Sequence, residues 1–220
     1  MQDNKILTST QIALLELIGQ QPFLRSNFYL TGGTALAGFY LRHRYSEDLD
    51  FFSMNEVDTL PIITFFNDQK EKLGIKNITS QTSMNRNLFF LELKSETLKT
   101  EFTYFPFTQM EKPKEYFGVR VDSIKDIAAN KLFTVYQRSK ARDYIDLYCI
   151  CQKYGWSIEE LTAWAKIKFD WHIDPVQLAS QFVKAKIAQD YPRLIVQINQ
   201  ADWQNFFEAE ALKLKPKILE

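Results

Sequence analysis

The stretch from Thr31 to Phe52, T-G-G-T-A-L-A-G-F-Y-L-R-H-R-Y-S-E-D-L-D-F-F, constrains this chain more than any other. It reads as the end of an apolar strand (Phe28–Leu30), a glycine turn at Gly32 and Gly33, a short helix and a second strand. On that second strand Asp48 and Asp50 alternate with Leu49 and Phe51. Side chains two apart on a strand share a face, so both carboxylates project together while Leu49 and Phe51 turn to the other side. Their α-carbons are expected about 6.5–7 Å apart. Two unpaired carboxylates repel and raise each other's pKa. A divalent cation removes that cost, and Mg²⁺ takes oxygen ligands together with substrate phosphates.

The glycines suit the same chemistry. Glycine adopts positive φ and lets backbone approach a ligand closely, and a turn that opens a helix offers free N–H groups and a positive dipole end to an anion. Thr34 adds a hydroxyl at the helix start. Taken singly, D-x-D also describes an exposed acidic pair and G-G-T a plain turn. The informative feature is their order: strand, Gly-Gly-Thr, helix, then D-L-D on the next strand.

That order, with R-Y-S-E-D-L-D-F and a later K-x6-R-x3-R-D-Y-I-D-L-Y running from Lys131 to Tyr148, resembles the nucleotidyltransferases of the DNA polymerase beta-like superfamily. Within it the chain is most similar to the AbiEii/AbiGii toxin family. The likeness spans Phe28 to Tyr148 and departs from the superfamily pattern by having Thr34 where Ser is common. The resemblance implies an α/β (α+β) fold, with a mixed-sheet nucleotidyltransferase core and a helical part after it. It implies Mg²⁺ (or Mn²⁺) on Asp48 and Asp50, and a nucleoside triphosphate cradled by Gly32, Gly33 and Thr34. It also implies a toxin with a neighbouring antitoxin. In some relatives the acceptor is the 3′ end of tRNA; a protein or a small molecule such as an antibiotic is equally compatible with these residues. A nucleotide-binding regulatory protein without catalysis is the alternative of another class.

Composition sets outer bounds. In 220 residues, 45% hydrophobic and 15% aromatic, there is material for a sizeable core in one large or two small domains. Lys plus Arg equals Asp plus Glu at 27 each, so bulk charge does not advertise a polyanion partner. Cys149 and Cys151 have no second pair, which argues against a zinc site or a disulfide framework. No apolar run approaches the roughly 20 residues that span a bilayer, and the N-terminus has no signal-peptide core. The expectation is a soluble, cytoplasmic protein.

Along the chain, Thr8–Gln20 has helical spacing after capping residues, with Pro22 read as its end. Arg42, His43 and Arg44 precede the acidic pair. Arg44 is expected either to hold a triphosphate or to neutralise Asp48, and His43 to lie on the surface. Leu60–Leu73 reads as a helix stopped by Gly74. Three strands follow (Ile75–Ser83, Leu88–Lys94, Leu98–Phe107), the first two joined by a turn at residues 84–87. Glu101 lies inside the third, aromatic strand. It is either a solvent-facing partner of Lys99 or another lysine or, as the resemblance implies, a third carboxylate that completes the metal site or accepts a proton.

After a short strand at Val119–Val121, Asp122 or Ser123 caps a helix to about Gln137. Lys131 falls on or beside its apolar stripe, where a lysine needs a partner, and Arg138 and Arg142 continue on a similar heading. A basic row of this kind is what a triphosphate requires; the bland alternative for Lys131 is a side chain that snorkels to solvent. In the next helix, Ala141–Tyr154, Arg142 and Asp146 are spaced to pair. The resemblance favours Asp146 as the catalytic acid and Asp143 as an arginine's partner, but the spacing fits either. From Ser157 onward the pattern is helical, with a capping box at Ser157/Glu160 and Asp174-Pro175 opening another helix. Trp156, Trp164, Phe169 and Trp171 are read as packing residues, any exposed ones being able to stack a base, and 212–220 as a charged, fraying end. The expected division is a nucleotidyltransferase core over 1–122 and a helical domain over 123–220 that completes the active site.

Overall fold

The computed structural model describes residues 6–219. The chain divides into two compact units, Met1–Gly38 with Ser46–Ser123, and Phe39–Tyr45 with Ile124–Glu220. The short segment 39–45 therefore belongs with the helices and not with the sheet that flanks it in sequence.

In the first unit, α1 (Ser9–Gln20) starts at a capping box: Thr8 Oγ1 accepts from the Gln11 backbone and Gln11 Oε1 accepts from the Thr8 backbone. α1 ends at Gln20 as expected, and Pro22 also opens a second helix, α2 (Pro22–Asn27), because Pro at the first helical position loses no bond. Next come β1 (Tyr29–Thr31), α3 (Gly32–Ala35) with a π-helical continuation over Leu36–Leu41, and β2 (Leu49–Ser53). The expected single helix before Gly74 is two, α4 (Leu60–Asp68) and α5 (Lys70–Leu73), broken at Gln69. The unit ends with β3 (Asn77–Ser83), β4 (Arg86–Glu92), β5 (Thr97–Tyr104), β6 (Lys114–Tyr116) and β7 (Val119–Val121). Strand β6 carries no alternating pattern and was not expected.

The seven strands form one mixed sheet in the order β3-β4-β5-β2-β1-β7-β6. Strand β2 runs antiparallel to β1 and parallel to β5, while β1 runs parallel to β7. Leu49 and Phe51 are fully buried, as their alternation with the acids requires. Phe102 is the hub of that core, with ring centroids 5.0 Å from both Phe28 and Phe51, 5.9 Å from Phe89 and 6.1 Å from Phe66.

The second unit holds α6 (Ile124–Gln137), α7 (Ala141–Tyr154), α8 (Ile158–Phe169), α9 (Pro175–Val183) and α10 (Gln200–Leu219), with a 3₁₀ turn at Lys184–Ile187. The capping box at Ser157 and the Asp174 cap are both formed. Tyr144 packs on Trp203 and Phe207, and its hydroxyl donates to the Gln181 carbonyl at 2.5 Å. Lys168 and Asp126, both fully buried, pair at 2.7 Å. Trp171, expected to pack, is 57% exposed. The end expected to fray is helical to Leu219, and Glu220 lies outside the described residues. Segment 39–45 is held by backbone bonds: Tyr45 N–H donates to the Arg193 carbonyl and Ile195 N–H to the His43 carbonyl, each at 2.9 Å. Among the described residues no helix is long and apolar enough to cross a membrane.

Because Phe102 has ring contacts on several sides, Phe102→Ala should cost about 3–5 kcal/mol. Urea denaturation followed by fluorescence checks this; a loss under 1 kcal/mol would contradict the packing described.

Candidate active site

In the first unit, sheet register assembles the acids. Asp50 is the cross-strand partner of Thr31 on β1 and of Glu101 on β5. In-register neighbours on adjacent strands carry their side chains on one face, so Glu101 comes beside Asp50 across fifty residues of sequence. Asp48 lies immediately before β2, two residues from Asp50.

Gly32 meets this edge directly. Its φ is +72°, and a β-carbon built on it would overlap the Asp50 carboxylate, with Cγ 3.2 Å away. Any other residue here would be strained in backbone and blocked in space. Gly33 and Thr34 complete the first turn of α3. No side chain caps that turn, since the Thr31 hydroxyl donates instead to Asp122 at 2.9 Å. Thr34 is buried and its hydroxyl donates to the Asp48 carbonyl while sharing a 2.8 Å bond with Ser46 Oγ. Expected to face a phosphate, it instead fixes the entry to the D-L-D strand. Gln11 does the same from α1: its side-chain amide donates to the Ser46 and Glu47 carbonyls at 3.0 and 3.1 Å. The capping pattern marks Gln11 in the sequence, but nothing there shows this second task.

Each of two acids on this edge has a cation. Lys99 Nζ lies 2.7 Å from Asp48 Oδ2. Arg86 grips Glu101 through Nε at 2.7 Å and Nη2 at 2.6 Å, and Thr103 Oγ1 donates to Glu101 at 2.7 Å. Glu101 is 5% exposed, so it is neither solvent-facing nor a partner of Lys99. Burial pushes its carboxyl up, but the bonds from Arg86 and Thr103, with the charges of Arg86 and Lys99, outweigh that and hold it below its ordinary value. A carboxylate so held is a poor proton acceptor, which weakens the expected role of base. Arg86, placed by the sequence in a turn, begins β4.

In the second unit the predicted basic and acidic residues form a buried cluster. Lys131 on α6 contacts Asp143 at 2.9 Å and Asp146 at 2.6 Å on α7. Arg44 meets both Asp146 oxygens, at 2.6 and 2.9 Å, and His43 Nε2 is 2.7 Å from Asp146 Oδ1. Arg138 pairs with Asp143 at 2.9 Å. Arg44 therefore neutralises Asp146 and not Asp48, and His43 is buried and not on the surface. The expected Arg142–Asp146 pair is replaced by Arg142 on Asp190 at 3.2 Å. Burial pushes the Asp146 carboxyl up, yet Lys131 and Arg44 with the bond from His43 hold it well below the carboxylate range. Burial likewise lowers Lys131, and the charges of Asp146 and Asp143 more than restore it. Three permanent cations face two carboxylates, and Arg138, at 49% side-chain exposure, is the one turned to solvent. Nearby on α7, burial first and the charge of Asp146 second push the Cys149 thiol up to about 12; burial does the same to Cys151.

The donor set Asp48, Asp50 and Glu101 is all carboxylate oxygen, which suits a hard divalent cation. Among the described residues no three such side chains converge into a preformed metal centre, and both Asp48 and Glu101 are engaged by cations.

Asp146→Asn should destabilise the second unit by about 3–5 kcal/mol, since it removes the buried carboxylate that Arg44 and Lys131 share. A depressed carboxyl contributes stability above its unfolded value, near 3.9, and loses it as pH falls toward the lowered folded value. Denaturation between pH 3 and 7 should therefore give a shallower acid limb in the variant than in the parent. Identical limbs would contradict the ion cluster.

Comparison with known proteins agrees with this architecture. The family model for the nucleotidyl transferase AbiEii toxin, of type IV toxin–antitoxin systems, matches residues 14–216. An uncharacterized protein of Aquifex aeolicus (strain VF5) is 33% identical over 147 residues, 66% of this chain and 67% of that protein. A Helicobacter pylori crystal structure, provisionally called a nucleotidyltransferase, superposes with a TM-score of 0.61 at 22% identity, covering 96% of this chain and 95% of that one. MenT4, a nucleotidyltransferase toxin of Mycobacterium tuberculosis H37Rv, gives 0.52 at 15% identity over 93% and 84%. The two structural likenesses support the mixed α/β fold, and the family match covers nearly the whole chain: it belongs to the AbiEii nucleotidyltransferase toxin family and is a nucleotidyltransferase.

Proposed function

We propose that this enzyme moves a nucleoside monophosphate from a nucleoside triphosphate to a hydroxyl of RNA, tRNA being the first candidate, as the toxin of a pair with a neighbouring antitoxin. The observation that carries the site assignment is the in-register placement of Asp50 beside Glu101 with Gly32 pressed against the Asp50 carboxylate.

Asp48, Asp50 and Glu101 are the residues that would hold Mg²⁺ or Mn²⁺, which when bound supplies Lewis-acid stabilisation of phosphoryl charge and a more acidic attacking hydroxyl. Gly32 and Gly33 bind the β/γ-phosphates through backbone at a helix start that no side chain caps. Thr34 and Gln11 keep the D-L-D strand at its height in the sheet. Arg86 and Thr103 keep Glu101 ionised and fixed. In the second unit, Asp143 and Asp146 orient Lys131, and the half-exposed Arg138 is the cation of that cluster open to an anionic ligand. The acceptor oxygen bonds to the α-phosphorus as the α–β bridging bond breaks, and positioning with fixed electrostatics carries most of the acceleration.

Labelled nucleoside triphosphates, Mg²⁺ and, separately, total RNA, total protein or aminoglycosides test the reading. RNA should be labelled, and Asp48→Ala or Asp50→Ala should reduce labelling at least about a hundredfold, the scale of losing one preorganised electrostatic contact. Label confined to protein or aminoglycoside would reject the RNA acceptor. Where expression arrests growth, Asp48→Ala should restore it, and unchanged arrest would reject a metal-dependent toxin.

A further inference from the structure

The two cations on the carboxylate edge are held in different ways. Arg86 makes a two-pronged grip on Glu101, which is 5% exposed and also bonded by Thr103. That arrangement is a fixed clamp, matching the planar fork of a guanidinium to both carboxylate oxygens. Lys99 makes one contact, 2.7 Å from Asp48 Oδ2, and the two side chains are 28% and 38% exposed. An ammonium on a flexible four-carbon stem, at a solvent-accessible pair, exchanges readily between anions.

Competition for one oxygen makes the difference matter. Lys99 Nζ sits on Asp48 Oδ2, an oxygen that a divalent cation on Asp48 would need, whereas Arg86 holds Glu101 by both prongs. Of these two contacts the single, exposed one is the one that can yield. An incoming triphosphate offers the released ammonium a new anion.

We propose that Lys99 is the exchangeable counter-ion of the metal site, holding Asp48 while no metal is bound and surrendering it when a divalent cation enters with its triphosphate. This rests on the reading of Asp48 as a metal ligand. Lys99 is thus a positioning residue. It keeps the acids from repelling one another in the empty site, and it disfavours metal binding without nucleotide.

Mn²⁺ titration followed by electron paramagnetic resonance, without nucleotide, tests this on the full chain. Lys99→Met should bind Mn²⁺ about 3–10-fold more tightly than the parent, the scale of removing one unit charge near a solvent-screened site. Lys94→Met, the same change at an exposed lysine of the same region, should leave affinity unaltered. In metal-free buffer Lys99→Met should melt lower than the parent and regain the difference on adding Mn²⁺. Binding only by Lys99→Met, with none by the parent, also supports the proposal. Equal or weaker binding by Lys99→Met, while the parent binds and Asp48→Ala does not, overturns the role of Lys99 and leaves the metal site standing. Absence of binding by the parent, Lys99→Met and Asp48→Ala alike overturns the metal-site reading itself, and this proposal with it.

Discussion

Carboxylates removed from water must be neutralised, and that requirement shapes both units of this chain. In the sheet unit, Arg86 takes Glu101 and Lys99 takes Asp48. In the helical unit, Lys131, Arg44 and Arg138 take Asp143 and Asp146. The two solutions differ in depth. On the sheet edge Asp48 keeps partial exposure, so its lysine can yield to a ligand of like charge, while Arg86 stays clamped on Glu101. Asp146 is fully buried, and breaking a buried pair on one side costs far more than its net contribution when intact. The first suits a site that binds and releases; the second suits a scaffold that holds one lysine in one orientation.

This difference in depth bears on the roles the family motifs suggest. The second motif brings Lys131, Arg138, Asp143 and Asp146 into one cluster, yet both acids are spent on cations within it. Within that cluster they fix Lys131, a task that needs their charge. Glu101 is similar, because its grip by Arg86 lowers its basicity while preserving its negative charge.

What the sequence made legible was local. The strand, glycine bend, helix and D-L-D order, the capping boxes at Thr8 and Ser157, and the burial of Leu49 and Phe51 all follow from spacing within a few residues. What it hid was register. Arg86 meets Glu101, and Lys99 meets Asp48, only because β4, β5 and β2 align as they do, and a one-residue slip would reverse every side chain. The ion-pair partner of Arg44 was hidden in the same way: its nearest acids in sequence are Glu47 and Asp48, but backbone bonds between 43–45 and residues 193–196 accompany its pairing with Asp146. Strand β6, three residues long with no alternation, owes its form to pairing with β7.

The thiols of α7 have a practical meaning beyond their inertness. With Cys149 and Cys151 raised to about 12, almost no thiolate exists near neutrality while the helix is packed. Cys151 is also buried, so its alkylation would report transient opening of the segment that bears Asp143 and Asp146. The chain carries a native reporter of local unfolding on the helix of its ion cluster, with no engineered label required.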